Sequence, residues 1–153
     1  MKWLLIGLAV IVGLVVVVAI VGSLLPRDHK ASRTLRVRRA PAEVWPVVTQ
    51  IAGASSVPVV VVESQPPYRL VTRVAETEKN FGGTWTIAIV AVPDPSTGSG
   101  QVASTLTITE DGWVANPIFR FMSRLVIGHH ATMDALLKDV ARKFNEEPAL
   151  SGE

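Results

Sequence analysis

The sequence predicts an α+β protein: an antiparallel β-sheet wrapped around a long C-terminal helix, preceded by one N-terminal transmembrane helix. Three observations carry this. Residues 3–25 form an unbroken apolar run without a charge. Several short segments between residues 33 and 109 alternate apolar and polar side chains and are separated by turn formers. Residues 116–144 bear apolar side chains at spacings of three and four, the mark of an amphipathic helix. Such a stripe cannot be buried by its own helix, and a sheet is the cover that the rest of the chain supplies.

The apolar run, WLLIGLAVIVGLVVVVAIVGSLL, explains a hydrophobic fraction of 48% and a mean hydropathy of +0.36. At a rise of 1.5 Å per residue it reaches across a hydrocarbon core of about 30 Å. A secretory leader has a shorter apolar region, about 7–15 residues, ending at a small-x-small cleavage site. Val21-Gly22-Ser23 matches that site poorly, so residues 1–26 are expected to be an uncleaved single-pass anchor in the cell membrane. Only Lys2 precedes the run, whereas Arg27, Lys30, Arg33, Arg36, Arg38 and Arg39 follow it, which predicts a cytoplasmic C-terminal domain. This cluster also suits anionic lipid headgroups, making the bilayer the first expected partner. Ala9-x-x-x-Gly13 offers a small-residue face for a weak homodimer through the membrane. Residues 40–153 hold 8 Lys/Arg against 12 Asp/Glu, so the domain itself is mildly acidic and a nucleic-acid partner is not expected. There are no cysteines, which excludes disulfides and thiolate chemistry.

Pro26 ends the anchor, and residues 27–32 read as a basic linker. Leu35 and Val37 then alternate with Arg36 and Arg38 as a half-buried strand. Ala40-Pro41-Ala42-Glu43 opens a helix, with proline at its first position and an acid in its first turn. Pro46 removes a backbone donor inside it and predicts a short or kinked helix that closes at Gly53. PVVVVE, residues 58–63, reads as a buried strand, and Gln65-Pro66-Pro67 as a turn. Tyr68, Leu70, Thr72 and Val74 share one side of the next strand. Gly82-Gly83 starts the clearest strand, on which Trp85, Ile87, Ile89 and Ala91 share a face. Residues 93–100, PDPSTGSG, read as a hairpin loop, and Val102, Leu106 and Ile108 alternate in the strand after it. Glu110-Asp111-Gly112 reads as a turn. Asn116-Pro117 caps the final helix, whose stripe runs through Ile118, Met122, Leu125, His129, Met133, Leu136, Val140 and Phe144. Arg120, Arg124, Lys138 and Arg142 fall on its other face, with Asp134–Lys138 and Asp139–Lys143 as i,i+4 pairs. Residues 148–153 read as a disordered tail.

RTLRVRRAPAEVW, FGGTWTIAIVAV and ITEDGWVANPIFRFMSRLVIGHHATMDALLKDVARKFN carry a resemblance to the START-like helix-grip superfamily, also called SRPBCC or polyketide cyclase-like. They look most like a membrane-anchored bacterial branch, over residues 33–147. The resemblance implies a sheet gripping the C-terminal helix with an apolar cavity between them. It also implies a hydrophobic or lipid-like ligand, with cyclisation or dehydration in a minority of members. Two departures predict a smaller or more open pocket: the chain passes almost directly from Gly53 to Val59, where a further strand pair is usual, and Pro46 replaces an ordinary helix former.

Side chains expected at such a pocket are Tyr68, Trp85, Ile87, Trp113, Met122, Leu125, His129 and Met133; aromatic walls with few polar groups typify sites for hydrophobic ligands. His129 is the ionisable residue on the stripe. It is read as a core histidine, a hydrogen-bonding anchor for a ligand oxygen, or an acid–base group. His130 points about 100° away on a helix, so the two do not share a metal. No metal, no cofactor and no catalytic residue is expected. Gly82-Gly83 lacks a phosphate-binding pattern, and the serines lack the setting of a nucleophile. The leading expectation is a non-catalytic, membrane-tethered binding domain. The alternatives are a cyclase- or hydrolase-like enzyme using His129 with Glu110 or Tyr68, and a structural or regulatory membrane protein whose pocket has degenerated.

Overall fold

The computed structural model describes residues 1–54, 57–75, 80–94, 102–128 and 130–152. Helix α1 (Lys2–Leu24) is followed by β1 (Asp28–Val37), α2 (Pro41–Gly53), β2 (Val59–Gln65), β3 (Arg69–Val74), β4 (Phe81–Pro93) and β5 (Val102–Val114). The short helix α3 (Pro117–Phe121) then runs into a π-helical turn (Met122–Ile127), and α4 (Ala131–Lys143) and β6 (Leu150–Ser151) complete the chain. The six strands form one sheet in the order β2-β3-β4-β5-β1-β6, with every pairing antiparallel. The fold is α+β, with the sheet held against α4 as in a helix grip.

Period-two alternation builds the core face of the sheet. Leu35 and Val37 of β1, Ile87 and Ile89 of β4, and Leu106 and Ile108 of β5 are all buried there. Met133, Leu136, Leu137 and Val140 of α4 fill the space beneath, joined by Val44 and Val48 of α2. Helix α2 begins as its sequence predicts, with Pro41 in the first turn and the Glu43 carboxylate accepting from the Ala40 N–H at 3.1 Å. It continues through Pro46 to Gly53.

The C-terminal segment departs from the single helix expected over 116–144. Asn116 does cap it, accepting from the N–H groups of Ile118 at 2.9 Å and Phe119 at 3.3 Å. However, the helix loosens into the π turn at Met122 and breaks at Gly128, whose φ of 79° lies in the region that favours glycine. The apolar stripe consequently loses its phase. Met133 to Val140 is buried, whereas Leu125 and Val126 are exposed. The charged face also differs. Arg120 is buried, Asp134 pairs with Arg33 at 3.0 Å, and Asp139 pairs with Arg142 at 2.8 Å rather than with Lys143.

Four further expectations change. Strand β1 starts at Asp28, so most of the stretch read as a linker belongs to the sheet. Leu150 and Ser151, read as part of a disordered tail, pair with Leu35 and Thr34 of β1. Val59 to Val62 are not buried: β2 is an edge strand and these valines are exposed. Glu110, Asp111 and Gly112 make no turn, because β5 runs through them to Val114, matched residue by residue with β4. The hairpin reading of residues 93–100 and the polar stretch 76–80 lie largely outside the described residues.

Helix α1 has 23 residues, a mean hydropathy of 3.4 in its most apolar window and an almost wholly exposed surface, and is long and apolar enough to cross a membrane. It does not stand apart from the domain. Gly22 lies directly against the Pro117 carbonyl of α3, where a side chain would collide with the backbone. Arg120 donates to the Leu25 carbonyl at 2.9 Å and to the Ala115 carbonyl at 2.7 Å.

A candidate ligand cavity

Between the sheet and the helices, beside the core, lies a cavity of about 650 Å³. Its walls come from β3 (Thr72, Val74), β4 (Phe81, Trp85, Ile87), α2 (Ile51, Ala52) and the start of α4 (Thr132, Leu136). Phe119, Met122, Ile127 and Gly128 border it from the α3–π segment. A volume of this size falls within the range of small-molecule sites, and most of the lining is apolar. The direct passage from α2 to β2 has therefore not closed the space between sheet and helices.

Four of the expected side chains line this cavity: Trp85, Ile87, Trp113 and Met122. Trp85 and Met122 thus reach it from the sheet and from the π segment respectively. The Trp113 indole lies over Gly82, where a Cβ would come within 2.8 Å of the ring, so the glycine makes room for it. Tyr68 is 56% exposed and Leu125 58% exposed, and neither lines the cavity. Tyr68 immediately precedes β3, and Leu125 lies on the π turn that throws the stripe out of phase. Met133 is fully buried in the core instead. His129 lies outside the described residues. Of the two partners considered for His129, Glu110 lines the cavity and Tyr68 does not.

Glu110 is a charged side chain in the cavity wall. On β5 it occupies the row of Leu106, Ile108, Gly112 and Val114, the buried side of the strand. An acid there requires a partner, because transferring an unpaired carboxylate from water is costly. That partner is His29, whose Nε2 lies 3.3 Å from Glu110 Oε1. The side chains retain 12% (His29) and 23% (Glu110) of their exposure. Strand register explains the contact: Ala31 lies opposite Glu110 and His29 opposite Gly112. A Cβ at position 112 would come within 2.7 Å of the imidazole Cε1, so Gly112 leaves the space that His29 occupies.

His29 escapes a reading of the sequence because it sits among Arg27, Asp28 and Lys30, in what looks like solvated linker. The available signal is parity: His29, Ala31, Arg33, Leu35 and Val37 share one face of β1. Arg33 obscures that pattern. It is accommodated on the inward face by the Asp134 carboxylate of α4. Among the described residues, no three His, Asp or Glu side chains gather as a metal site.

No protein-family model matches the chain, and no curated protein matches it. Among solved structures it is similar to a conserved protein from Geobacillus kaustophilus, at 13% identity and a TM-score of 0.52, covering 80% of this chain and 99% of that one. It is also similar to the Zhui aromatase/cyclase from a Streptomyces species, at 16% identity and a TM-score of 0.37, covering 76% of this chain and 96% of that one. At such identities the likeness to the Geobacillus protein speaks to the fold alone.

Proposed function

We propose that this chain is a membrane-tethered member of the START-like, polyketide cyclase-like superfamily, and that it binds a hydrophobic or lipid-like ligand without transforming it. The observation that carries the reading is the cavity of about 650 Å³ between sheet and helices, walled chiefly by apolar side chains. A collapsed structural domain would have filled that volume, since interiors pack to near-crystalline density. A cyclase- or hydrolase-like reading would draw on His29 and Glu110, the ionisable pair inside the cavity.

The membrane part of the proposal rests on α1 and on what adjoins it. Ile118, Phe119, Met122, Leu125, Val126 and Ile127 are exposed apolar residues that follow directly on the contact between Gly22 and Pro117. Phe119, Met122 and Ile127 also border the cavity. With α1 crossing the cell membrane and the basic residues 27–39 on the cytoplasmic side, this segment lies at the headgroup level. The cavity then opens towards the bilayer, from which an apolar ligand can enter without crossing water. The open side of Gly13 is where a weak homodimer would form.

The test is native mass spectrometry of the full chain extracted in mild detergent, beside a Val74→Trp variant that places an indole in the cavity. A lipid-sized adduct on the wild type that is lost in the variant is the expected result. Adducts equal in both proteins, or absent from both, overturn the binding reading.

A further inference from the structure

We infer that Glu110, held by His29, is the polar anchor of this cavity and selects an apolar ligand whose head group donates a hydrogen bond, such as an alcohol or an amine, over one ending in a carboxylate. This rests on the binding reading above and names the ligand class for the same site.

Among the described residues, the acidic and imidazole groups lining the cavity are Glu110, Asp139 and His29. Asp139 is engaged at the surface by Arg142 at 2.8 Å. Glu110 is therefore the acid that a ligand head would meet inside. An ionised carboxylate accepts hydrogen bonds and donates none, and its two oxygens offer about four lone-pair sites. The imidazole contact at 3.3 Å occupies one oxygen, Oε1. A hydroxyl or ammonium head can donate to the carboxylate and so satisfy both partners. A carboxylate head brings a second acceptor and a second negative charge to one imidazole, within walls of low polarity where charge repulsion is poorly screened.

Placement favours the same conclusion. Trp85 lies directly opposite Glu110 on β4, and Ile108 precedes it on the inward row of β5. The anchor thus sits beside an apolar wall, which suits a molecule with a long apolar body and one polar end. Gly112 keeps the imidazole in place by leaving its side of the strand open. Thr72, Ser123 and Thr132 also line the cavity, but these neutral hydroxyls do not discriminate between an acceptor head and a donor head.

The experiment compares a long-chain alcohol, amine and carboxylate of one chain length, each displacing an environment-sensitive fluorescent probe from the full-length protein in nonionic detergent. The wild type is expected to bind the alcohol and the amine at least about tenfold more tightly than the carboxylate, the ratio that follows from one charge-assisted hydrogen bond. Glu110→Gln, which keeps the shape and adds a donor, is expected to bring the three affinities within about threefold by strengthening the carboxylate. Gly112→Ala, which crowds His29 but leaves Glu110, is expected to weaken the discrimination. Equal affinities in the wild type, or an unchanged ratio in a folded Glu110→Gln protein, overturn the anchor while leaving the binding reading intact. Failure of all three ligands to displace a probe that does bind the cavity overturns the anchor, whereas failure of the probe and of all three ligands to bind the folded wild type overturns the binding reading itself.

Discussion

Arg120 of α3 donates to the main-chain carbonyl of Leu25 at 2.9 Å, joining the first residue after the apolar helix to the segment that borders the cavity. Its second bond, to the Ala115 carbonyl at 2.7 Å, ties the same guanidinium to the end of β5. The fork geometry of arginine suits this task, because one planar group reaches two carbonyls that lie 90 residues apart in sequence (115 − 25).

Arg120→Ala should therefore loosen the junction and leave two carbonyls without this donor. The expected cost is about 1–3 kcal/mol. Thermal unfolding of the full chain in detergent reads it, and faster tryptic cleavage at Arg27 reports the local opening. Unchanged stability and cleavage would show that the junction does not depend on this contact.

Gly22→Leu tests the other half of the junction. Any side chain at this position meets the Pro117 backbone, which cannot yield as a flexible side chain can. The helix should shift away from α3. Spin labels on cysteines introduced at Ser23 and Ile118 of this cysteine-free chain should move apart in the variant. An unaltered label distance would mean that α1 and α3 are not packed in this way in a lipid environment.

Much of the sheet can be read from sequence because its inward rows alternate cleanly, as Leu106 and Ile108 on β5 or Ile87 and Ile89 on β4 do. The burial of Met133, Leu136, Leu137 and Val140 follows equally from helical spacing. The break at Gly128 is hidden by those same spacings, since one glycine costs a helix only about 1 kcal/mol and the apolar pattern resumes after it. Val59 to Val62 mislead for another reason: a continuous β-branched run marks a strand but not whether neighbours cover both its faces. The cavity was half legible. Its aromatic and aliphatic wall could be named, while His29 and the inward placement of Glu110 depend on cross-strand register, which a linear reading does not provide.

Leu137 and Trp85 separate core from cavity. Leu137 is fully buried, and Leu137→Ala should cost about 2–5 kcal/mol with little effect on bound ligand beyond that of lost stability. Trp85 is only partly buried and lines the cavity, so Trp85→Ala should destabilise less and abolish the lipid adduct instead. Unfolding midpoints and native mass spectra of the two variants make the comparison. If Trp85→Ala retains the adduct, the ligand does not rest on this wall.

Arg33 faces inward on β1, close to Asp134 of α4 with Nε and Oδ1 3.0 Å apart. The N–H is not aimed at the carboxylate, so both atoms are buried in an ion contact without a hydrogen bond. The side chains are about a quarter exposed, which limits the coupling expected from a double-mutant cycle to about 1 kcal/mol. Arg33 has a second role that Asp134 lacks: its Nη1 donates to the Gly152 carbonyl at 2.7 Å and holds β6 on the sheet edge. Arg33→Met should therefore destabilise the domain and also release residues 150–152 to fast amide exchange. Asp134→Asn should destabilise it with those amides still protected. The double variant should recover part of the combined loss, because it leaves no uncompensated charge beneath the sheet. Equal exchange at Leu150 in the two single variants would show that the C-terminal strand is held by its ladder with β1 and not by Arg33.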